Sequence, residues 1–163
     1  MSRSSPSYVR ASKLHELLSS DESRSGTLVV DVRDEDRAGG HVAGSLHAPS
    51  ESFHRDIERV RLAARGKQIV VFHCMQSQQR GPRCAMIMAQ AVAKQQHEEE
   101  NAAAASGSAS ATATAEAFPP IVILEDGFSG WVRYVSRLES DVRQKHRDLL
   151  IADYSKTTHG YNC

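Results

Sequence analysis

The residues best equipped for chemistry stand together. A short apolar run, Ile69-Val70-Val71-Phe72, leads into His73-Cys74-Met75-Gln76-Ser77-Gln78-Gln79-Arg80-Gly81-Pro82, and a helical pattern follows. A loop of this length between a strand end and a helix start can curl with successive N–H groups inward. Those donors and the helix N-terminus form an anion cradle. Arg80 adds a planar fork that matches two oxygens of a tetrahedral oxyanion. Cys74 stands in the same positive field, which favours its thiolate. The spacing therefore predicts a nucleophile beneath a bound phosphate-like anion, with its sulfur open to solvent at the loop mouth. Pro82 fits the first helical turn, where its missing N–H costs nothing. Cys74 and Arg80 are the expected catalytic residues. Met75, Gln76, Ser77, Gln78, Gln79 and Arg80 form the expected oxyanion loop. Ser77 is a candidate hydrogen-bond partner of the thiolate. His73 has two readings: it fixes the loop by hydrogen bonds, or it is simply the last strand residue.

The elements that must position this loop are legible around it. Leu28-Val29-Val30-Asp31-Val32, Ile69-Val70-Val71-Phe72 and Ile121-Val122-Ile123-Leu124 are short, β-branched and apolar on both faces, as in a parallel sheet covered on both sides. Helical stripes lie between them: Leu14, Leu17 and Leu18; Phe53, Ile57, Val60 and Ala64, with Ser50 or Ser52 as cap; Cys84, Ile87, Met88, Ala91 and Val92; and Phe128, Trp131, Val132, Val135, Leu138 and Val142. Strands alternating with helices predict an α/β fold with a central parallel sheet. Residues 101–117 hold nine alanines among Ser, Thr, Gly, Asn and Glu, with no larger apolar side chain. Such a segment cannot offset its ordering entropy by burial, so about 96–118 is expected to be a flexible surface insertion. One domain over 8–147 is expected, with tails at 1–7 and 148–163.

Charge and composition exclude several classes. The 163 residues carry 20 Lys and Arg against 20 Asp and Glu, without the basic excess of a nucleic-acid binder. No apolar run approaches a bilayer span, and the opening residues lack a signal-peptide core. Three cysteines, Cys74, Cys84 and Cys163, make no disulfide framework. A reducing compartment, the cytoplasm, is expected, with no nucleic-acid or membrane partner. Cys84 lies on a helix's apolar stripe and is read as core rather than as a resolving thiol. Cys163 and His159 are too few for a structural zinc, so no metal is expected. Asp31 and Arg33 read as a structural pair rather than as catalytic, and Trp131 as packing; Asp34, Glu35 and Asp36 precede a turn and have two readings, proton donors or, in the first place, a solvated loop.

Asp31-Val32-Arg33, Gly39-Gly40-His41-Val42-Ala43-Gly44-Ser45-Leu46-His47-Ala48-Pro49 and Leu124-Glu125-Asp126-Gly127-Phe128-Ser129-Gly130-Trp131 resemble the signature runs of rhodanese-like domains. The resemblance covers about residues 8–95 and 119–147. Sulfur-transferring rhodaneses usually have a loop one residue shorter. The longer loop, closed by Gly81-Pro82, is similar to two relatives: the rhodanese-fold cell-cycle dual-specificity phosphatases, and the eukaryotic arsenate and antimonate reductases of yeast and protozoan (leishmanial) type. The phosphatases typically carry loop carboxylates where this chain has Met75 and Gln79, and a second cysteine where it has Val32. The string His73-Cys74, Ser77, Arg80-Gly81-Pro82 is more similar to the reductases.

That resemblance implies a thiol-dependent reductase of pentavalent arsenate or antimonate. Cys74 attacks the metalloid, water leaves, and glutathione or glutaredoxin supplies electrons, with no bound cofactor. The alternative is a protein tyrosine or dual-specificity phosphatase, possible also as a second activity. A third reading is an inactive rhodanese-like binding module, although such modules usually lose the loop Cys or Arg. Some relatives carry a cysteine-rich zinc site near the C-terminus, whose ligands this chain lacks.

Overall fold

The three β-branched runs lie side by side as the middle of one parallel sheet. A computed structural model of the chain describes residues 6–107 and 117–138, with the backbone of 151–152. In chain order the elements are β1 (Ser7–Val9), α1 (Ala11–Ser19), α2 (Asp21–Ser25), β2 (Thr27–Asp31), a 3-10 turn (Glu35–Arg37), β3 (His41–Val42), β4 (Leu46–His47), α3 (Phe53–Ala63), β5 (Ile69–His73), α4 (Arg80–Ala105), β6 (Ile121–Leu124), α5 (Gly127–Arg137) and β7 (Ile151–Ala152). The main sheet has the order β1-β6-β5-β2-β4, with every pairing parallel.

Strand alternation divides the core in two. Leu28, Val30, Val70, Phe72 and Ile123 point to one face and pack with Phe53 and Val60 of α3 and Cys84, Ala85 and Met88 of α4. Val29, Val71, Val122 and Leu124 point to the other and pack with Leu14 and Leu18 of α1 and Phe128, Trp131 and Val135 of α5. Both faces are covered, which is why these strands read as unbroken apolar runs. Trp131 is fully buried and stacks on Tyr134, in keeping with a packing role.

Several local expectations change. Ser52 is the α3 N-cap, but its side chain makes no capping bond; Ser50 donates to Asp34 instead. The first part of the expected insertion is helix, because α4 continues to Ala105 with residues 96–107 exposed throughout. The helix is already nucleated in the core, so each further alanine extends it without a new nucleus. The Gln95–Glu99 hydrogen bond and the Lys94–Glu98 ion pair support the extension. The expected tail from 148 contains β7, antiparallel to β3 through Val42↔Ile151 and His41↔Ala152. A two-residue pairing with a segment so distant in sequence leaves no local pattern. Residues 1–5, 108–116, 139–150 and 153–163 lie outside the described residues, and with them Val142, His159 and Cys163.

The end of β2 is tied down by an ion pair inside the core. Arg33 Nε and Nη2 donate to the Asp31 carboxylate at 3.0 and 2.7 Å, and both side chains are shielded from solvent. The second Nη2 donor reaches Gly40 O at 2.8 Å and one Nη1 donor reaches Asp36 O at 3.1 Å, and the guanidinium lies 4.0 Å over the Phe128 ring. Burial pushes the Asp31 carboxyl up, but the neighbouring His73 and Arg33 outweigh it and hold it at about 2. The Arg33 charge is permanent, whereas burial pushes the His73 ring below its usual range.

These shifts set the response to acid. Asp31 ionises at about 2 when folded against 3.8 ordinarily. Its contribution is therefore complete above about pH 5 and is lost as the pH falls through 2. Below about pH 6.5 the unfolded chain also takes up a proton at His73 that the folded chain resists. Urea unfolding should show stability falling in two stages from pH 7 to pH 3, with His73→Gln removing the upper one. At pH 7, Asp31→Asn should cost about 3–5 kcal/mol by leaving Arg33 buried without its counter-charge. A midpoint unchanged between pH 7 and pH 5 would rule out the buried neutral histidine.

Candidate active site

Parallel strands place all their C-terminal ends on one edge. The loop after β5 therefore sits between the segments that follow β2 and β6, and backbone groups from both sides build it. Phe128 N donates to Cys74 O at 2.9 Å and Ser129 N to Met75 O at 2.9 Å. These are first-turn amides of α5, which have no partner within their own helix. In a trans peptide the C=O and the next N–H point oppositely. Anchoring these two carbonyls on α5 thus turns the Met75 and Gln76 amides away from it. Gly127 allows the close approach: its φ is +55°, and a Cβ there would lie 2.5 Å from Cys74 O and 2.7 Å from Met75 O.

The loop then doubles back at Ser77. This residue has a left-handed φ of +51°, a conformation costing about 1 kcal/mol or more outside glycine. The turn brings the Ser77 amide to 3.2 Å from Cys74 Sγ. The expected hydrogen-bond partner of the sulfur is thus Ser77's backbone rather than its hydroxyl, and Ser77 Oγ is buried with no partner among the described residues. Met75 is half-buried, while Gln76, Gln78 and Gln79 are exposed. Gly81, in the first turn of α4, closes on the same loop: a Cβ there would lie 3.4 Å from Cys74 N and Ser77 Oγ.

Cys74 is only 4% exposed, so its sulfur is not open at the loop mouth as expected. The α4 and α5 N-termini pack against the loop from two sides and leave Cys74 little free surface. His73 is the last residue of β5, and its Nδ1 donates to Cys74 O, the first carbonyl of the loop, at 3.1 Å. Its ring is fully buried and stacks on Phe128. Cys84 packs in the core, and burial pushes its thiol up to about 11. It is therefore protonated at neutral pH, the wrong state for a resolving nucleophile.

Arg80 opens α4, and its guanidinium is already held. Nη1 donates to Asp36 Oδ1 at 2.7 Å and to Asp34 Oδ2 at 3.0 Å, and Nη2 to Asp36 Oδ2 at 2.5 Å. The Asp36 hydrogen bond chiefly raises the guanidinium far above its ordinary value, with the Asp34 hydrogen bond adding to it. The same bond from Arg80 lowers Asp36. Burial of Asp34 is outweighed by the Ser50 hydroxyl, the Glu51 amide and Arg80, so it too is lowered. Asp34 and Asp36 are thus part of the site and not a solvated loop. The sequence offered them only as proton donors or a solvated loop and gave no sign of their contact with Arg80, because they follow β2, and nothing local says that β2 lies beside β5. The available signal was the parallel pattern itself, which puts the ends of neighbouring strands together. Among the described residues no group of three or more His, Cys, Asp or Glu side chains is placed to hold a metal ion, and no helix is long and apolar enough to cross a membrane.

The arrangement offers a buried thiol under a backbone amide, beside a fixed guanidinium. Comparison with known proteins gives the family of the chain. Residues 10–134 match the family of the rhodanese-like domain. Arsenate reductase 2.2 of Oryza sativa is 33% identical over 126 residues, covering 77% of this chain and 81% of that protein. The dual specificity phosphatase Cdc25 of Arabidopsis thaliana is 34% identical over 126 residues, covering 77% and 72%. Among solved structures, the As-Sb reductase from Leishmania major superimposes with a TM-score of 0.62 at 23% identity, covering 83% of each chain. Ygr203w, a yeast protein tyrosine phosphatase of the Rhodanese family, gives 0.64 at 26%, covering 94% of this chain and 96% of its own.

The contact of Gly127 with the loop is directly testable. Gly44 also has a positive φ, +71°, but an added Cβ there meets nothing within 4 Å. Gly44→Ala should carry only the left-handed backbone cost, about 1 kcal/mol. Gly127→Ala adds a clash with two loop carbonyls and should cost at least about 2 kcal/mol more. It should also change the alkylation rate of Cys74, read by iodoacetamide labelling and mass spectrometry, where Gly44→Ala does not. Equal effects of the two substitutions would show that α5 does not shape the loop.

Proposed function

The chain belongs to the rhodanese-like domain family, and on that premise we propose that it is a thiol-dependent reductase of pentavalent arsenate or antimonate, with Cys74 as nucleophile and Arg80 as oxyanion ligand. The observation that carries this reading is the Cys74 sulfur, held against the Ser77 amide at 3.2 Å in a loop whose end supplies Arg80. The Cys74 thiolate attacks the pentavalent metalloid, a sulfur–metalloid bond forms, and an oxygen leaves as water after protonation. A first external thiol, glutathione or a glutaredoxin, adds to the bound metalloid. A second thiol attacks the sulfur of the first; that sulfur–metalloid bond breaks and leaves its electron pair on the metalloid, which becomes trivalent as the disulfide departs, and water then cleaves the Cys74–metalloid bond to release the product and the free thiol. Each turnover then balances as one arsenate and two thiols giving one arsenite, one disulfide and one water. The chemistry calls for a reducing compartment, the cytoplasm in the first place. No resident cofactor enters it.

Loop chemistry favours reduction over ester hydrolysis. A phosphatase needs an acid to protonate its leaving alkoxide or phenoxide. The loop positions Met75 to Gln79 include no carboxyl group. Asp34 and Asp36, the acids nearest to Arg80, are engaged by that guanidinium and held ionised below the usual carboxylate range. Arsenate reduction loses water, and solvent can protonate the departing oxygen. Dual-specificity phosphatase activity is the second reading, favoured by the similarity to the Arabidopsis protein over 77% of this chain.

The test sets arsenate-dependent NADPH oxidation, coupled through glutathione, glutaredoxin and glutathione reductase, beside hydrolysis of an aryl phosphate. Arsenate turnover should dominate. It should vanish in Cys74→Ser and survive in Cys84→Ser. Arg80→Ala should lower kcat/KM by about 2–4 kcal/mol of transition-state stabilisation, and Arg80→Lys should recover little of it, since an ammonium cannot present two parallel donors. Cys74-dependent hydrolysis without arsenate turnover would establish the phosphatase reading instead. Neither activity would leave a binding module.

A further inference from the structure

We propose that Asp36, assisted by Asp34, is a positioning residue that holds one edge of Arg80 so that the opposite edge is presented to the oxyanion. The proposal rests on the reading of Arg80 as oxyanion ligand. It follows from counting donors. A guanidinium carries five N–H groups in a fixed plane. Both Nη1 hydrogens are used, one on Asp36 Oδ1 and one on Asp34 Oδ2, and one Nη2 hydrogen is used on Asp36 Oδ2. Two donors remain: the Nε hydrogen, which meets no described residue, and the outer Nη2 hydrogen. They lie parallel on one edge, the arrangement that grips two oxygens of a tetrahedral anion.

The carboxylates can set this direction because they are themselves fastened. Asp34 Oδ2 accepts from Ser50 Oγ at 2.7 Å and Oδ1 from Glu51 N at 3.1 Å. Asp36 Oδ1 also accepts from Asp34 N at 3.0 Å. The Asp36 carbonyl is held by Arg33 Nη1, whose guanidinium is locked on Asp31 in the core. A half-exposed arginine would otherwise sample many rotamers, and orienting it beforehand removes that cost from substrate binding. A competing account makes the opposite forecast. If the carboxylates merely occupy Arg80 while the site is empty, their removal should tighten anion binding, because two negative charges leave the site.

The experiment uses the full chain and two readouts: protection of Cys74 from iodoacetamide by inorganic arsenate or phosphate, and kcat and KM for arsenate reduction. Asp36→Asn should weaken protection by about tenfold or more, the scale on which misplacing a reacting group is felt, and lower kcat/KM to match. Asp36→Glu should recover part of both. In an Arg80→Lys background, which has no fork to aim, the same Asp36→Asn change should alter protection by less than about twofold. Melting temperatures of all variants separate folding from binding. Tighter protection in Asp36→Asn, or an equal loss in both backgrounds, overturns the proposal. Protection needs no turnover, so a chain that binds arsenate without reducing it sinks the reductase reading alone. A wild-type chain whose Cys74 no oxyanion protects sinks both.

Discussion

Arg33 is fully buried, and its charge is tolerable there only because Asp31 meets it with a second charge and the rest of its fork is satisfied. Those satisfying groups come from separate parts of the chain: Gly40 O, Asp36 O and the face of Phe128. One guanidinium thus joins the end of β2, the segment before β3, the carbonyl of the residue that grips Arg80, and the first turn of α5. Of these, the end of β2, Asp36 and the first turn of α5 adjoin the β5 loop or its Arg80. A pair that adds little net stability compared with an apolar substitute can still fix geometry, and here it fixes the surroundings of the thiol.

The loop itself is built almost wholly from backbone. Two α5 amides hold two loop carbonyls, and the Ser77 amide faces sulfur. The left-handed Ser77 and the missing Cβ at Gly127 are the conditions for that packing. The strain at Ser77 is small beside the burial on both faces of the sheet, so the fold carries it without difficulty. On the proposed reading, side chains as plain as Met75, Gln76, Gln78 and Gln79 suffice in the loop, because the anion would be met by peptide N–H groups, which every residue except proline supplies.

The acids beside Arg80 give the site its chemical character. Held ionised, they can direct a guanidinium but are poor proton donors. A reaction whose leaving group is water tolerates that limitation better than one whose leaving group is an alkoxide. On the proposed readings the same two residues bear on both the precision of anion binding and the choice between reduction and hydrolysis.

Much was legible in the residues alone. Doubly apolar runs such as Ile69 to Phe72 specified buried parallel strands, because only a sheet covered on both faces accepts them. Cys74, Arg80 and Pro82 at their spacing specified a strand–loop–helix turn, as found from β5 to α4, because that signal is local; the anion cradle proposed for it rests on the same spacing. What the residues could not specify was anything that depends on which segments become neighbours. The partnership of Asp36 with Arg80 spans 44 positions, and the pairing of β7 with β3 spans more than a hundred. The burial of Cys74 beneath the first turns of two helices belongs to the same class. Local propensity and spacing carry no information about such contacts. They are decided when the sheet orders its strands and brings their C-terminal ends to one edge.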